Sequence, residues 1–288
     1  MGASGKKILI TFIIVLLVFS VHFAVLGEPM TWDCPECGRE GNTGNYCGWC
    51  AHPAPWIEKA DINAMHSLTE EFKTVGNIVT FGHYEQDNDL SNGTEEIEWI
   101  VLEYDEANHK ALLLSRYGLA EKAYHERAYN TEFKKVTWET CSLRTWLNND
   151  FLNKAFYANE QNAILITEVN YHPSEDYENE KNKYSREAYS AQVEMFTQDR
   201  IFLLSYKQAN QYSFATQDSL VPTTYAVSQG FKVNKVVWWW LRSSGYRGSI
   251  YADSLDYRGA HRTINANAQD IFIRPALWVN LESFLVQQ

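Results

Sequence analysis

The sequence predicts an α+β fold for one main domain, residues 74–288, and three observations carry that expectation. Short β-branched or aliphatic runs open the domain, at Ile78–Tyr84, Ile97–Tyr104 and Ala111–Ser115. Apolar residues then recur at helical spacing through Ser142–Asn153 and Asn159–Ile166. Apolar runs rich in tryptophan, Trp238–Leu241 and Ile273–Val279, read as strands near the C-terminus. Helices grouped in one part and strands in another predict segregated layers rather than a repeating βαβ pattern. A chain of 288 residues with 14% aromatic content can bury a core for a domain of about 200 residues and still carry appendages.

Residues 1–28 read as a membrane anchor or a signal peptide. Lys6 and Lys7 precede an apolar run from Ile8 to Leu26, interrupted only by Thr11, Ser20 and His22. At nineteen residues it exceeds the signal-peptide apolar segment of about 7 to 15 residues and just reaches the ~20 needed to cross a bilayer. The small-residue rule for cleavage is poorly met, since Leu26 separates Gly27 from Ala24. Anchoring with an extracytoplasmic C-terminal domain, and secretion after cleavage, are the two readings; lysines on the cytoplasmic side place the rest of the chain outside in either.

Residues 32–52 predict a zinc ribbon. Cys34 and Cys37 form one C-x-x-C pair, Cys47 and Cys50 another, nine residues apart. Gly38 and Gly48 supply backbone freedom beside each turn, so that four thiolates can converge on one Zn²⁺ at about 2.3 Å. With four cysteines the site is closed and structural, and the metal supplies the folding energy of so short a segment. Disulfides or a redox pair are the competing readings for an exported chain. Residues 53–73 follow as a linker and a helix over Ile57–Phe72.

Within the main domain the first three runs look like a meander, with a turn at Asp105–His109. Between Glu85 and Glu106 stand nine carboxylates and no Lys or Arg. Asp87, Asp89, Ser91, Gly93 and Glu98 fall at EF-hand-like positions, but the glycine is one place late and strands flank the loop. An irregular Ca²⁺ site and a solvated hairpin loop turned at Asn92–Gly93 are the two readings. Cys141 sits in a stretch where Trp138, Leu143, Trp146, Leu147 and Phe151 mark an apolar face, and it reads as a buried structural thiol. Residues 170–197 read as a charged, tyrosine-rich surface insertion, Ile201–Leu204 as a buried strand, Tyr206–Gln211 as a short helix, and 217–235 mostly as loop.

Trp238, Trp239 and Trp240 cannot all face one way in a strand. Arg242 and Arg274 are expected to hold the closing strands through buried pairs with carboxylates or carbonyls. Between these strands Tyr246, Arg247, Tyr251, Asp253, Tyr257, Arg258 and His261 make a polar, tyrosine-rich segment of the composition that recognition loops use. It predicts a solvent-facing binding patch for a glycan, peptide or protein. A net charge of −11 with no large basic cluster argues against a nucleic-acid partner. The eight histidines include no H-E-x-x-H, and neither a G-x-S-x-G elbow nor a P-loop is present. A binding or adhesion module is therefore the first reading, and a secreted enzyme, for example one acting on carbohydrate with a pocket beside the 246–265 surface, is the second.

Trp239-Trp240-Leu241-Arg242-Ser243 followed some thirty residues later by Arg274-Pro275-Ala276-Leu277-Trp278 resembles the C-terminal pattern of the uncharacterised DUF6273 family of Firmicutes. Gly76–Glu85, Ile97–Leu102 and Thr137–Asn148 with Phe151 and Phe156 extend the likeness over roughly residues 74–283. The closing pattern is also similar to C-type-lectin-like domains of the formylglycine-generating-enzyme type. That likeness implies a single C-type-lectin-like α+β domain with short antiparallel strands and two or three helices. The oxidase chemistry of those enzymes needs cysteines in the C-terminal half, and here the last is Cys141.

Overall fold

The computed structural model describes residues 31, 33–41, 69–126, 136–171, 195–217, 220–230, 236–244 and 250–286. The apolar run 8–26, Cys47, Cys50, residues 57–68 of the expected helix, Tyr246, Arg247 and residues 172–194 of the insertion lie outside them. Among the described residues no helix is long and apolar enough to cross a membrane.

The chain is mixed α+β, and its sheets are mostly antiparallel. The three opening runs form strands β1 (Ile78–Tyr84), β2 (Glu95–Asp105) and β3 (Lys110–Ser115) as expected. Val79 and Phe81 of β1 face the core, as do Ile97, Trp99 and Val101 of β2. A register shift between Thr80 and His83 marks a bulge in β1. Gly82 sits there at φ +71°, where a Cβ would come within 2.4 Å of the Phe156 ring, so only glycine lets the strand cross that side chain. The β2–β3 hairpin turns through a 3₁₀ segment, Glu106–Asn108, capped by Asp105, whose side chain accepts the Asn108 N–H.

Helix α1 (Ser142–Trp146) runs through a π-helical turn (Leu147–Phe151) into α2 (Leu152–Ala155). Cys141 caps α1, its sulfur accepting the Arg144 N–H at 3.4 Å. The π turn carries Asn148, whose side chain donates to the Ile201 carbonyl at 2.8 Å and accepts the Arg200 and Ile201 N–H groups. Helix α3 (Ala158–Ala163) is shorter than the sequence suggests, because Ile164 leaves it to bridge Val279. Strands β5 (Thr167–Asn170) and β6 (Phe196–Asp199) make a small separate pair. Asp199, almost fully buried, accepts from Trp138 Nε1 at 2.8 Å, Arg144 Nε at 2.6 Å and Thr197 Oγ1 at 2.6 Å, and so fastens that pair to α1. Helix α4 (Tyr206–Gln211) matches its expectation, with a capping box between Ser205 and Gln208. Two short helices, α5 (Ser213–Thr216) and α6 (Thr224–Ser228), follow, the second within the stretch expected to be loop. Strands β4 (Ala120–Glu121), β7 (Trp238–Ser244), β8 (Tyr251–Asp256), β9 (His261–Asn265), β10 (Ile271–Ile273) and β11 (Ala276–Asn280), then helix α7 (Leu281–Val286), complete the elements of the described residues.

These strands form two main sheets, of order β1-β2-β3-β11 and β4-β10-β7-β8-β9. The expected strand Ile273–Val279 is therefore two strands in two sheets: β10 lies parallel to β7, and β11 pairs antiparallel with β3. The break falls at Arg274 and Pro275, since proline has no N–H to donate to a ladder. Arg274 is fully buried; it donates to the Ser115 carbonyl at 3.0 Å and twice to the Ala215 carbonyl at 3.2 Å, and stacks over Trp239 at 5.1 Å. Its desolvation lowers its pKa to about 9. Ile201–Leu204 is buried as expected but is not a strand; only Phe202 bridges Ala276. Of the three tryptophans, Trp239 and Trp240 are buried on opposite faces of β7, while Trp238 is half-buried beneath Arg262 at 5.0 Å.

Candidate functional site

The β8–β9 hairpin forms the outer edge of the second sheet, and its turn carries Tyr257 and Arg258, the most exposed of the expected binding residues among those described. Asp256 at the end of β8 is only 2% exposed. One of its carboxylate oxygens accepts the Arg258 N–H at 2.9 Å and the Ala260 N–H at 2.8 Å, and its backbone N–H donates to the Ala260 carbonyl at 3.0 Å. Gly259, at φ +81°, completes the turn against the Gln217 side chain. The outcome is a rigid loop that presents Tyr257, 40% exposed, with the Arg258 guanidinium 5.1 Å over its ring. A ring face and a cation held in place are ordered before any ligand arrives, so less conformational entropy is lost on binding.

His261 opens β9 beside this turn. Its Nε2 lies 3.2 Å from Asp253 Oδ1, and its ring packs on Tyr206 with centroids 4.4 Å apart. Asp253 also accepts from Thr263 Oγ1 at 3.0 Å. The structure corrects one expectation here: Asp253 is fully buried and not part of a solvent-facing patch. Every residue of β8 from Ala252 to Asp256 is buried, so both faces of the strand are covered, and Asp253 orients His261 from beneath instead of meeting a ligand. Tyr251, at the far end of β8 opposite Asn265, is half-buried. Thus Tyr257, Arg258 and His261 come together at one end of the hairpin, and Tyr251 lies at the other.

Tyr206 was not singled out by sequence, being some fifty residues before the hairpin. Its placement follows from β7: the Ser243 hydroxyl accepts the Tyr206 N–H at 2.9 Å. Arg242 donates to the carbonyls of Leu203 at 2.9 Å and Asn170 at 2.8 Å and to the Gln208 side chain, so carbonyls and an amide are its partners. Deeper still, Tyr124 donates to the Arg242 carbonyl at 2.9 Å, and burial raises its pKa well above the usual phenol value. Cys141 is buried, and burial pushes its thiol up to about 12, which keeps it protonated and unreactive at neutral pH.

At the expected ribbon, the described residues around Cys34 and Cys37 form a tight turn. The Cys34 carbonyl accepts the Gly38 N–H at 2.9 Å, the Arg39 carbonyl accepts the Cys34 N–H at 2.8 Å, and Gly38 adopts φ +72°. The second pair, Cys47 and Cys50, lies outside the described residues. In the acidic loop, Glu98 does not join Asp87, Asp89, Ser91 and Gly93; it pairs from β2 with Arg116, the residue after β3. Asp89 instead accepts from the backbone and hydroxyl of Ser91.

Among known proteins, the family described as a domain of unknown function (DUF6273) matches residues 108–281. That is shorter at its start than the likeness read from the sequence, which reached back to residue 74. No curated protein and no solved structure matches the chain.

Proposed function

Because the chain belongs to the DUF6273 family, for which no function is described, we propose its role from the hairpin site: an extracytoplasmic ligand-binding or adhesion module. The observation that carries this reading is the Tyr257–Arg258 turn, exposed yet locked by the buried Asp256 carboxylate. Tyrosine and arginine dominate binding hot spots because each offers a large, stiff contact surface with a polar end. His261 and Tyr206 extend the surface, and the ligand is a glycan, peptide or protein rather than nucleic acid. In this reading the 1–28 segment tethers the module to the cell membrane, or releases it after cleavage, and Cys34, Cys37, Cys47 and Cys50 hold a structural Zn²⁺. The C-type-lectin-like likeness belongs to the same proposal, and the Arg274–Leu277 run supports it.

The experiment is a screen of glycan and peptide arrays with the full chain purified in detergent micelles. Saturable binding that weakens in Tyr257→Ala supports the module; binding untouched by that change moves the site elsewhere. One observation favours a second reading as a secreted enzyme, the buried Asp253 that orients His261. A carboxylate behind an imidazole is the arrangement of a positioned general base. Turnover without stable binding, abolished in His261→Ala, would favour that reading.

A further inference from the structure

We propose a divalent-cation site, taking Ca²⁺, between the end of β1 and the start of β2, formed by the carboxylates of Glu85, Asp87 and Glu95. One oxygen from each lies within 4.8 Å of the others. Two oxygens on opposite sides of a Ca²⁺ ion are separated by roughly 4.6 to 5.2 Å, twice the metal–oxygen distance, against about 4.0 to 4.2 Å for Mg²⁺. Oxygens within 4.8 Å of one another can share one calcium coordination sphere.

Proximity of acids alone would not identify a site. Glu85 provides the second observation: it is 8% exposed, and its Oε1 is buried without a hydrogen-bond partner. A buried carboxylate oxygen left unmatched is costly, and a cation is the partner that removes the cost. The other two acids are already fixed in place. One Glu95 oxygen accepts the Gln86 N–H at 2.6 Å and the Asp87 N–H at 3.4 Å. Asp87 accepts the Asp89 N–H at 2.7 Å and the Asn92 side chain at 2.8 Å. Asn88, at φ 68°, folds the backbone back on itself between them. No Lys or Arg occurs from Glu85 to Glu106 to neutralise the three carboxylates. All donors are oxygens, and the net charge of the set suits a hard divalent ion.

The loop also reaches α6, where the Gln86 carbonyl accepts the Tyr225 N–H at 2.9 Å and Asn88 Oδ1 accepts from Ser228 Oγ at 2.9 Å. Ca²⁺ in the loop would therefore brace the β1–β2 hairpin against that helix.

The test uses the full chain in detergent micelles, dialysed free of calcium with zinc retained. Tb³⁺ is titrated while the aromatic side chains are excited, and Ca²⁺ or Mg²⁺ alone is then used as competitor. The expected result is sensitised emission displaced by Ca²⁺ at least about tenfold more effectively than by Mg²⁺. Ca²⁺ at a hundred times its dissociation constant should raise the melting temperature by about 5 to 10 °C. Asp87→Asn with Glu95→Gln should lose both effects, and Glu106→Gln neither; if the double variant does not fold, Glu85→Gln replaces it. Absence of Ca²⁺-displaced emission from the unaltered chain, or emission and melting shifts that persist in the loop variant, would overturn the site.

Discussion

Replacing Trp239 by alanine tests how the closing strands are built. The ring is fully buried on β7 beneath the Arg274 guanidinium. Burial of a side chain this large removes roughly 200 Å² from water, worth about 5 kcal/mol at ~25 cal/mol per Å². Against this, Trp239 Nε1 is buried without a hydrogen-bond partner, an orphan donor that costs about 1 to 3 kcal/mol in the native protein and disappears with the ring. The expected net loss is therefore about 3 kcal/mol, a drop in melting temperature of roughly 6 to 12 °C. Trp239→Phe keeps a ring against Arg274 and removes the orphan N–H, so it should lie within about 1.5 kcal/mol of the original. Trp278→Ala should cost clearly less than Trp239→Ala, because that ring is half-buried with Lys110 over its outer face at 4.7 Å. Urea unfolding followed by circular dichroism measures all three. Equal losses for Trp239→Ala and Trp278→Ala, or near-unchanged stability in Trp239→Ala, would refute the burial of Trp239 between β7 and Arg274.

Three other outcomes are expected. Cys141 is protonated in the folded chain up to about pH 12 but ionises near pH 9 once unfolded, so the unfolded state binds fewer protons and stability falls as pH rises from about 9 toward 12. Cys141→Ala should flatten the first part of that decline in pH-dependent urea unfolding, and a native thiol that reacts readily with an alkylating reagent at pH 8 would contradict the burial. Metal analysis of the reduced full chain should find one Zn²⁺, lost when Cys34 and Cys37 are both replaced by serine, with little change in the melting of the main domain. In intact cells stripped of their wall, added protease should digest the chain beyond Glu28; protection until lysis would reverse the proposed orientation.

Much of this architecture was legible because local chemistry and the final structure agree. Ile78–Tyr84 and the runs of β2 and β3 combine β-branched residues with polar turns, and Tyr206–Gln211 carries a capping box in Ser205 and Gln208. Pro275 was a visible signal that Ile273–Val279 could not be one strand, but the apolar run around it outweighed that sign. Burial of Asp253 was not readable, since a polar residue in a tyrosine-rich segment looks exposed until Thr263 and His261 are known to close on it. Tyr206 and Glu85 take their places through tertiary packing, one through Ser243 and the other through a loop closing on Glu95, and so escape a reading of the sequence. Acidic spacing pointed to the loop proposed as a cation site, but its twelfth position, Glu98, is paired with Arg116 instead.

Direct binding by the β8–β9 turn is the central claim, and an affinity comparison tests it most closely. The array ligand bound by the full chain should be titrated against that chain and against Tyr257→Ala with Arg258→Ala by calorimetry. Both side chains are surface groups on a turn fixed by Asp256, so melting should shift by less than about 2 °C while the affinity falls more than roughly tenfold, about 1.4 kcal/mol. Unchanged affinity with normal melting would show that the ligand binds elsewhere, and loss of folding would show that the turn belongs to the core.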